Sequence, residues 1–347
     1  MVVLARLVAA VAVNAAVSAA RALPDVSSSL ATRQTGGQFV PKPGYYPATG
    51  DDTIAGGIFC ISLSDLAAYL ARTGNNPGAT GTESPRLGGG AGSASGTGPY
   101  PARATTDPAL PNHTIFAPRD LPPANMTLPF IAWGNGGCAT DPSAHKNFLI
   151  EVASHGYVIA ADGLAGGVAG KSQSMVTDMR ASLDWAAKGG AARYGSTAAA
   201  FQNGAVATMG HSCGGLEAMS TAYHDDRVKR IILLNIGIFQ DEKRYLLQEI
   251  KVPVAWFVGG PKDMGYPNAE KDYKLLPTEL PAFKASLDTG HGSTFAAPNG
   301  GKAARAVVNY LEWQFRNDTA SRARLLDPKA SGSLVSENWA VEYKNWT

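Results

Sequence analysis

A chain of 347 residues can hold one large α/β domain or two smaller ones, and 45% hydrophobic content is ample for a core. Charged residues make up 17% and the formal net charge is +2; with no basic run and no aromatic/basic interleaving, this argues against a nucleic-acid binder. Six histidines and three cysteines form no His-Glu-x-x-His or clustered Cys/His pattern that would suggest a metal, and no cofactor is expected.

Arg6 precedes an apolar run from Leu7 to about Val17, followed by small residues through Ala20-Arg21-Ala22. This is the pattern of a secretory signal peptide over residues 1–22, with cleavage after Ala20 or Ala22. About 11 apolar residues are too few to span a bilayer, so stable membrane insertion is not expected and the protein is expected to be secreted. Four Asn-x-Ser/Thr sequons, at Asn112, Asn125, Asn317 and Asn345, agree with export, since chance would supply about two.

Residues 23–97 read as a partly disordered Gly/Ser/Pro-rich extension. Thr73 to Gly98 contains almost no large apolar residue and cannot offset its ordering entropy. Only Ile58 to Leu70 has helical spacing there. Residues 98–347 read as one ordered domain. Thr114–Pro118 is an early strand, and Leu128–Trp133 a buried one that runs into Gly134-Asn135-Gly136-Gly137-Cys138. Asp141-Pro142 supplies an N-cap and a first-turn proline for a helix to about Ser154. Tyr157–Ala161 is a strand, and Gln173–Lys188 a helix ended by Gly189-Gly190. Strands follow at Ala205–Gly210, Val228–Ile238, Val252–Val258 and Phe283–Leu287, with a closing amphipathic helix at Ala303–Phe315. This alternation predicts an α/β fold with a mostly parallel central sheet and helices on both faces.

Gly210-His211-Ser212-Cys213-Gly214 lies where a strand meets a helix. A serine on so sharp a turn needs neighbours without Cβ atoms, and the turn lifts its hydroxyl above the sheet. Chance would supply the pentapeptide roughly 0.3 times in so Gly-rich a chain, so the flanking elements carry the signal. A serine nucleophile needs a base within hydrogen-bond reach, oriented by an acid. His291 lies just past the last strand, at the carboxyl edge where Ser212 also emerges. His113, His145, His155, His211 and His224 read as surface or packing histidines. Asp263, after the strand ending at Val258, is the preferred acid; Asp241 and Asp288 are its rivals.

The order Ser212, Asp263, His291 resembles the α/β-hydrolase fold. Within it, Trp133-Gly134-Asn135-Gly136-Gly137-Cys138, Gly210-His211-Ser212-Cys213-Gly214-Gly215 and Gly290-His291-Gly292-Ser293 look like secreted microbial serine esterases of the cutinase-like and polyester-hydrolase-like kind. The resemblance implies a carboxylic ester hydrolase with Ser212 as nucleophile, His291 as base then acid, and Asp263 as orienter. It places the oxyanion hole at the N–H of Cys213 and one from Gly136, Gly137 or Cys138. Cys138 and Cys213 flank that hole on facing loops, so a Cys138–Cys213 disulfide is expected, leaving Cys60 over; the alternative is two small buried thiols. A Cα separation beyond about 7 Å would exclude the bond.

Too little chain separates Phe239 from Lys251 for a cap domain, so an open cleft is expected, with Trp133, Phe239, Tyr266 and Phe295 as wall candidates. The substrate would be a small-molecule or polymeric ester, acted on by a monomer. An acyltransferase or lactone-forming enzyme on the same fold is the first alternative, and a non-catalytic secreted binding protein the second.

Overall fold

The computed structural model describes residues 56–61, 66, 68, 69, 71, 72, 94–123, 126–167, 173–196, 200, 201 and 203–346; the expected leader and the sequon at Asn125 lie outside them. Among the described residues nine strands form one sheet: β1 (Ala102–Asp107), β2 (Leu110–Pro118), β3 (Phe130–Gly134), β4 (Val158–Asp162), β5 (Val206–His211), β6 (Arg230–Leu234), β7 (Val254–Val258), β8 (Ala282–Ser286) and β9 (Ala340–Lys344). Their spatial order is β1-β2-β4-β3-β5-β6-β7-β8-β9. The run from β4 through β3 to β8 is parallel, whereas β1–β2, β2–β4 and β8–β9 are antiparallel. This is an α/β protein with a mostly parallel sheet, as the alternation predicted.

Successive residues of a strand face opposite sides of the sheet, and here both sides are buried. Phe130 and Ala132 of β3 join one core, Ile131 and Trp133 the other; Trp256 and Phe257 of β7 divide likewise. Helices α2 (Val176–Ala187) and α3 (Cys213–Ala222) cover the first side with Met179, Leu183, Leu216 and Met219. Helices α1 (Lys146–Ser154) and α5 (Gly301–Arg316) cover the second with Phe148, Leu149, Val307 and Leu311. Each fully buried side chain of this kind contributes roughly 1.5–3 kcal/mol. An exposed pair such as Lys262–Asp288, at 3.5 Å, is worth at most about 1 kcal/mol. The two apolar layers hold the sheet together, and surface charge does little.

The helix expected after Asp141-Pro142 is present, but it opens on a single 3-10 turn, Pro142–His145, before α1. Asp141 caps it, its carboxylate accepting from Ser143 N at 2.9 Å. Four elements lack a sequence counterpart above: β1, α4 (Tyr266–Leu275), α6 (Thr319–Leu326) and β9. β1 and β9 are the two edges of the sheet. Their residues are largely polar or exposed, so they carry no apolar run.

Part of the extension lies among the described residues, including part of the stretch Ile58 to Leu70 that the sequence singled out. Phe59, Cys60, Ile61 and Tyr69 are buried within the first core. Phe59 N donates to Ser220 Oγ at 3.1 Å on α3, and the Tyr69 ring packs edge-on against Phe239 at 4.9 Å. Short apolar clusters inside a polar segment have docked onto the domain, so this part of residues 23–97 belongs to its packed body. Among the described residues no helix is long and apolar enough to cross a membrane.

Candidate active site

The parallel strands deliver their following loops to one edge of the sheet, where ligand sites of such sheets form. Five of these loops, after β3, β5, β6, β7 and β8, build the site. Ser212 follows β5 and has φ 54° and ψ −124°, a conformation an L-residue adopts only under constraint. The constraint is visible. Ser212 N donates to Leu234 O at 2.9 Å, and Gly215 N returns to Ser212 O at 2.8 Å. A Cβ on Gly210 would strike the Gly214 backbone, and one on Gly214 would strike Gly134. The pentapeptide's glycines are therefore required by the close approach of β5, α3 and the loop after β3.

His291 Nε2 lies 2.9 Å from Ser212 Oγ, and His291 Nδ1 lies 2.6 Å from Asp263 Oδ1. The carboxylate can only accept, so Nδ1 carries the proton and Nε2 is left to accept from the serine hydroxyl. Asp263 is 1% exposed and accepts three further hydrogen bonds: from Gly265 N (2.9 Å), Gly259 N (2.9 Å) and Asn235 Nδ2 (2.8 Å). Burial alone would raise its pKa, but the bonds from His291 and the two backbone N–H groups outweigh it and hold the carboxyl below its usual range. The rival acids stand elsewhere. The Asp241 side chain is 69% exposed and pairs with Arg244 and Lys271, while Asp288 is 59% exposed and faces Lys262.

No protein-family model matches the chain, and no curated protein does either.

Cys213 opens α3, so its N–H sits at the positive end of the helix beside Ser212. Among the described residues the N–H groups of Cys213, Gly136 and Gly137 meet no backbone acceptor. Those of Cys138 and Gly214 both donate to Asn135 O, at 3.1 and 3.0 Å. Cys138 is thereby removed from the candidate donors. Cys138 and Cys213 form a disulfide with a Cα separation of 5.2 Å, and Cys60 is free and buried. Burial, then the nearby Glu217 carboxylate, pushes the Cys60 thiol up to about 12.

The wall candidates need correction. Trp133 is 0% exposed: it packs on His145 and Phe148, and its indole N–H donates to Asn135 Oδ1 at 2.8 Å. Phe295 is buried against His145, His211 and Phe148, and Phe239 against Tyr69. Large apolar residues next to catalytic-type loops here serve the core beneath them. Tyr266 is half-buried at the start of α4, its N–H on Asp263 O at 3.0 Å. A cleft of about 610 Å³ between β2 and α2, walled by Leu110, His113, Asp178 and Trp185, includes none of the site residues. Of the sequons, Asn112, Asn317 and Asn345 are exposed, though the Asn345 amide donates to Leu280 O at 3.4 Å. Among the described residues no group of three His, Cys, Asp or Glu is placed to hold a metal ion.

Two asparagines were not foreseen. Asn135 is fully buried and knits the glycine loop, donating to Ala139 O at 2.8 Å and Asp162 O at 2.6 Å while accepting from Trp133. Asn235 sits at φ 57° just past β6 and reaches both Asp263 and Gly290 O, the latter at 3.2 Å. An asparagine directly after an apolar strand, where it tolerates the left-handed region, was the available signal. His211 and His145, read as packing residues, are buried and hydrogen-bonded to one another at 3.0 Å.

Proposed function

We propose that the protein is an exported serine hydrolase of the α/β-hydrolase fold that cleaves carboxylic esters through an acyl-enzyme intermediate. One observation carries the reading: the unbroken chain Ser212 Oγ, His291 Nε2, His291 Nδ1, Asp263 Oδ1, with links of 2.9 and 2.6 Å. Support for the fold comes from the strand order and from the nucleophile, acid and base following β5, β7 and β8 in that sequence. The 3-10 segment Asp241–Glu249 is the one helical element between β6 and β7, which supports a site without a large cap. The disulfide and the exposed sequons support export into an oxidising compartment.

In the first step Ser212 Oγ attacks the ester carbonyl carbon while its proton passes to His291 Nε2. The carbonyl oxygen gains the negative charge and is met by Cys213 N–H and one from Gly136 or Gly137. As the intermediate collapses, the C–O bond to the leaving alcohol breaks and His291 returns the proton to that oxygen. Water then repeats the sequence against the acyl-serine, releasing the acid and restoring the hydroxyl. Asp263 stays ionised throughout and stabilises the imidazolium. Turnover of a short p-nitrophenyl ester tests the reading: Ser212→Ala should abolish it while circular dichroism stays unchanged, and undiminished turnover in that variant refutes it.

A further inference from the structure

His211 ends β5, one residue before Ser212, and the residue is 8% exposed. Its Nε2 lies 2.9 Å from the carbonyl oxygen of His291. A carbonyl only accepts, so Nε2 carries the proton and Nδ1 is an acceptor. His145 Nε2, 3.0 Å from that Nδ1, must then donate to it. His145 Nδ1 is left as the bare end of the chain, and it is indeed buried without a hydrogen-bond partner. The two imidazoles form a directed line with one proton per link, ending on the main chain of His291.

The same ring supports the glycine loop. A Cβ on Gly136 would lie 2.5 Å from His211 Nδ1, so the loop rests directly on the imidazole. Phe295 closes the ring from another side, with centroids 4.8 Å apart. His211 therefore touches the serine elbow, the loop of the second N–H donor and the loop of the base at once. The base loop is also tied upstream, by Gly290 N to Gly259 O at 2.8 Å and by Asn235 Nδ2 to Gly290 O at 3.2 Å. The tether on the carbonyl of His291 itself comes from His211.

We infer that His211, fixed in one tautomer by His145, is a positioning residue: its Nε2–H holds the His291 main chain so that this imidazole meets the Ser212 hydroxyl. The inference rests on the function proposed above and adds to it the device that sets the base. Neither imidazole touches the reacting atoms in this role. Burial, which pushes His145 down to about 4 and His211 well below its usual range, keeps both neutral near pH 7 and the line of donors intact. A base displaced by about 1 Å costs on the order of a hundredfold in rate, so a tether at this point has leverage.

The test uses the full chain with His211→Phe, which keeps a ring and removes the donor, and His211→Gln, which returns an N–H to the ε position. Both are assayed on a p-nitrophenyl ester and with a fluorophosphonate that reacts at serine. His211→Phe should lower kcat roughly tenfold to a hundredfold with KM within about twofold, and should slow labelling by the same factor. His211→Gln should recover most of that loss. A lower Tm with kcat unchanged in the folded protein, or His211→Gln as slow as His211→Phe, overturns the inference. Should His211→Phe not fold, long-range ¹H–¹⁵N spectra of the unaltered chain decide: His211 protonated at Nε2 supports it, and protonated at Nδ1 overturns it. An unaltered chain that neither labels nor hydrolyses the ester refutes the proposed function instead.

Discussion

Cys213, the residue after the elbow serine, is joined through its sulfur to Cys138 on the glycine loop, 5.2 Å away between Cα atoms. The bond spans 75 residues of sequence and ties the two backbone segments that carry the free N–H groups. Closing a loop of that length stabilises by about 4 kcal/mol on the chain-entropy account. The double variant Cys138→Ala with Cys213→Ala should lose stability of that order in urea denaturation. Under the proposed mechanism its kcat should fall roughly tenfold while KM holds, because a misaligned oxyanion donor would act on the transition state. An unchanged kcat would mean that the Asn135 bonds alone align the donors.

Asn235 gives a second test, because its amide is one of four donors around Asp263. Asn235→Gly keeps the left-handed backbone at φ 57° and deletes the amide. Leaving a buried carboxylate oxygen short of a donor costs about 1–3 kcal/mol. The expected outcome is a kcat/KM roughly tenfold lower on the p-nitrophenyl ester and a reduced Tm. Wild-type values for both would show that Gly259 N and Gly265 N suffice.

The histidine pair sets a pH dependence for folding. His145 has its folded pKa lowered to about 4 from an ordinary 6.5, mainly by burial, and His211 is lowered by burial and then by His145 and His291. Between pH 6.5 and 4 the unfolded chain binds protons that the folded chain refuses, so stability is full above about 6.5 and is lost as pH falls toward 4. For His145 alone the change is roughly 3 kcal/mol. Urea titrations at stepped pH should show this slope, and His145→Phe should flatten it. A slope unchanged in that variant would place the acid sensitivity elsewhere.

Much of this was legible in the sequence. Buried parallel strands announce themselves as apolar runs, and β3 to β8 were found that way. The Gly210 and Gly214 spacing marked the elbow because only a close backbone approach demands it, and the three side chains Ser212, Asp263 and His291 meet as their loop positions implied. Edge strands β1 and β9 were invisible, since a strand open to solvent on one side needs no apolar pattern. Trp133 and Phe295 were misplaced as walls because composition does not say which side of a loop faces inward. His211 and His145 were set aside because a hydrogen bond across 66 residues leaves no local trace.

The proposed activation of the Ser212 hydroxyl by His291 is the step on which the function depends. It is tested most directly by treating the full chain with a fluorophosphonate and locating the adduct by peptide mass spectrometry. A single adduct on Ser212 is expected, forming in the unaltered chain and strongly slowed in His291→Ala. No adduct at Ser212, or one that forms equally fast in both proteins, would contradict the account.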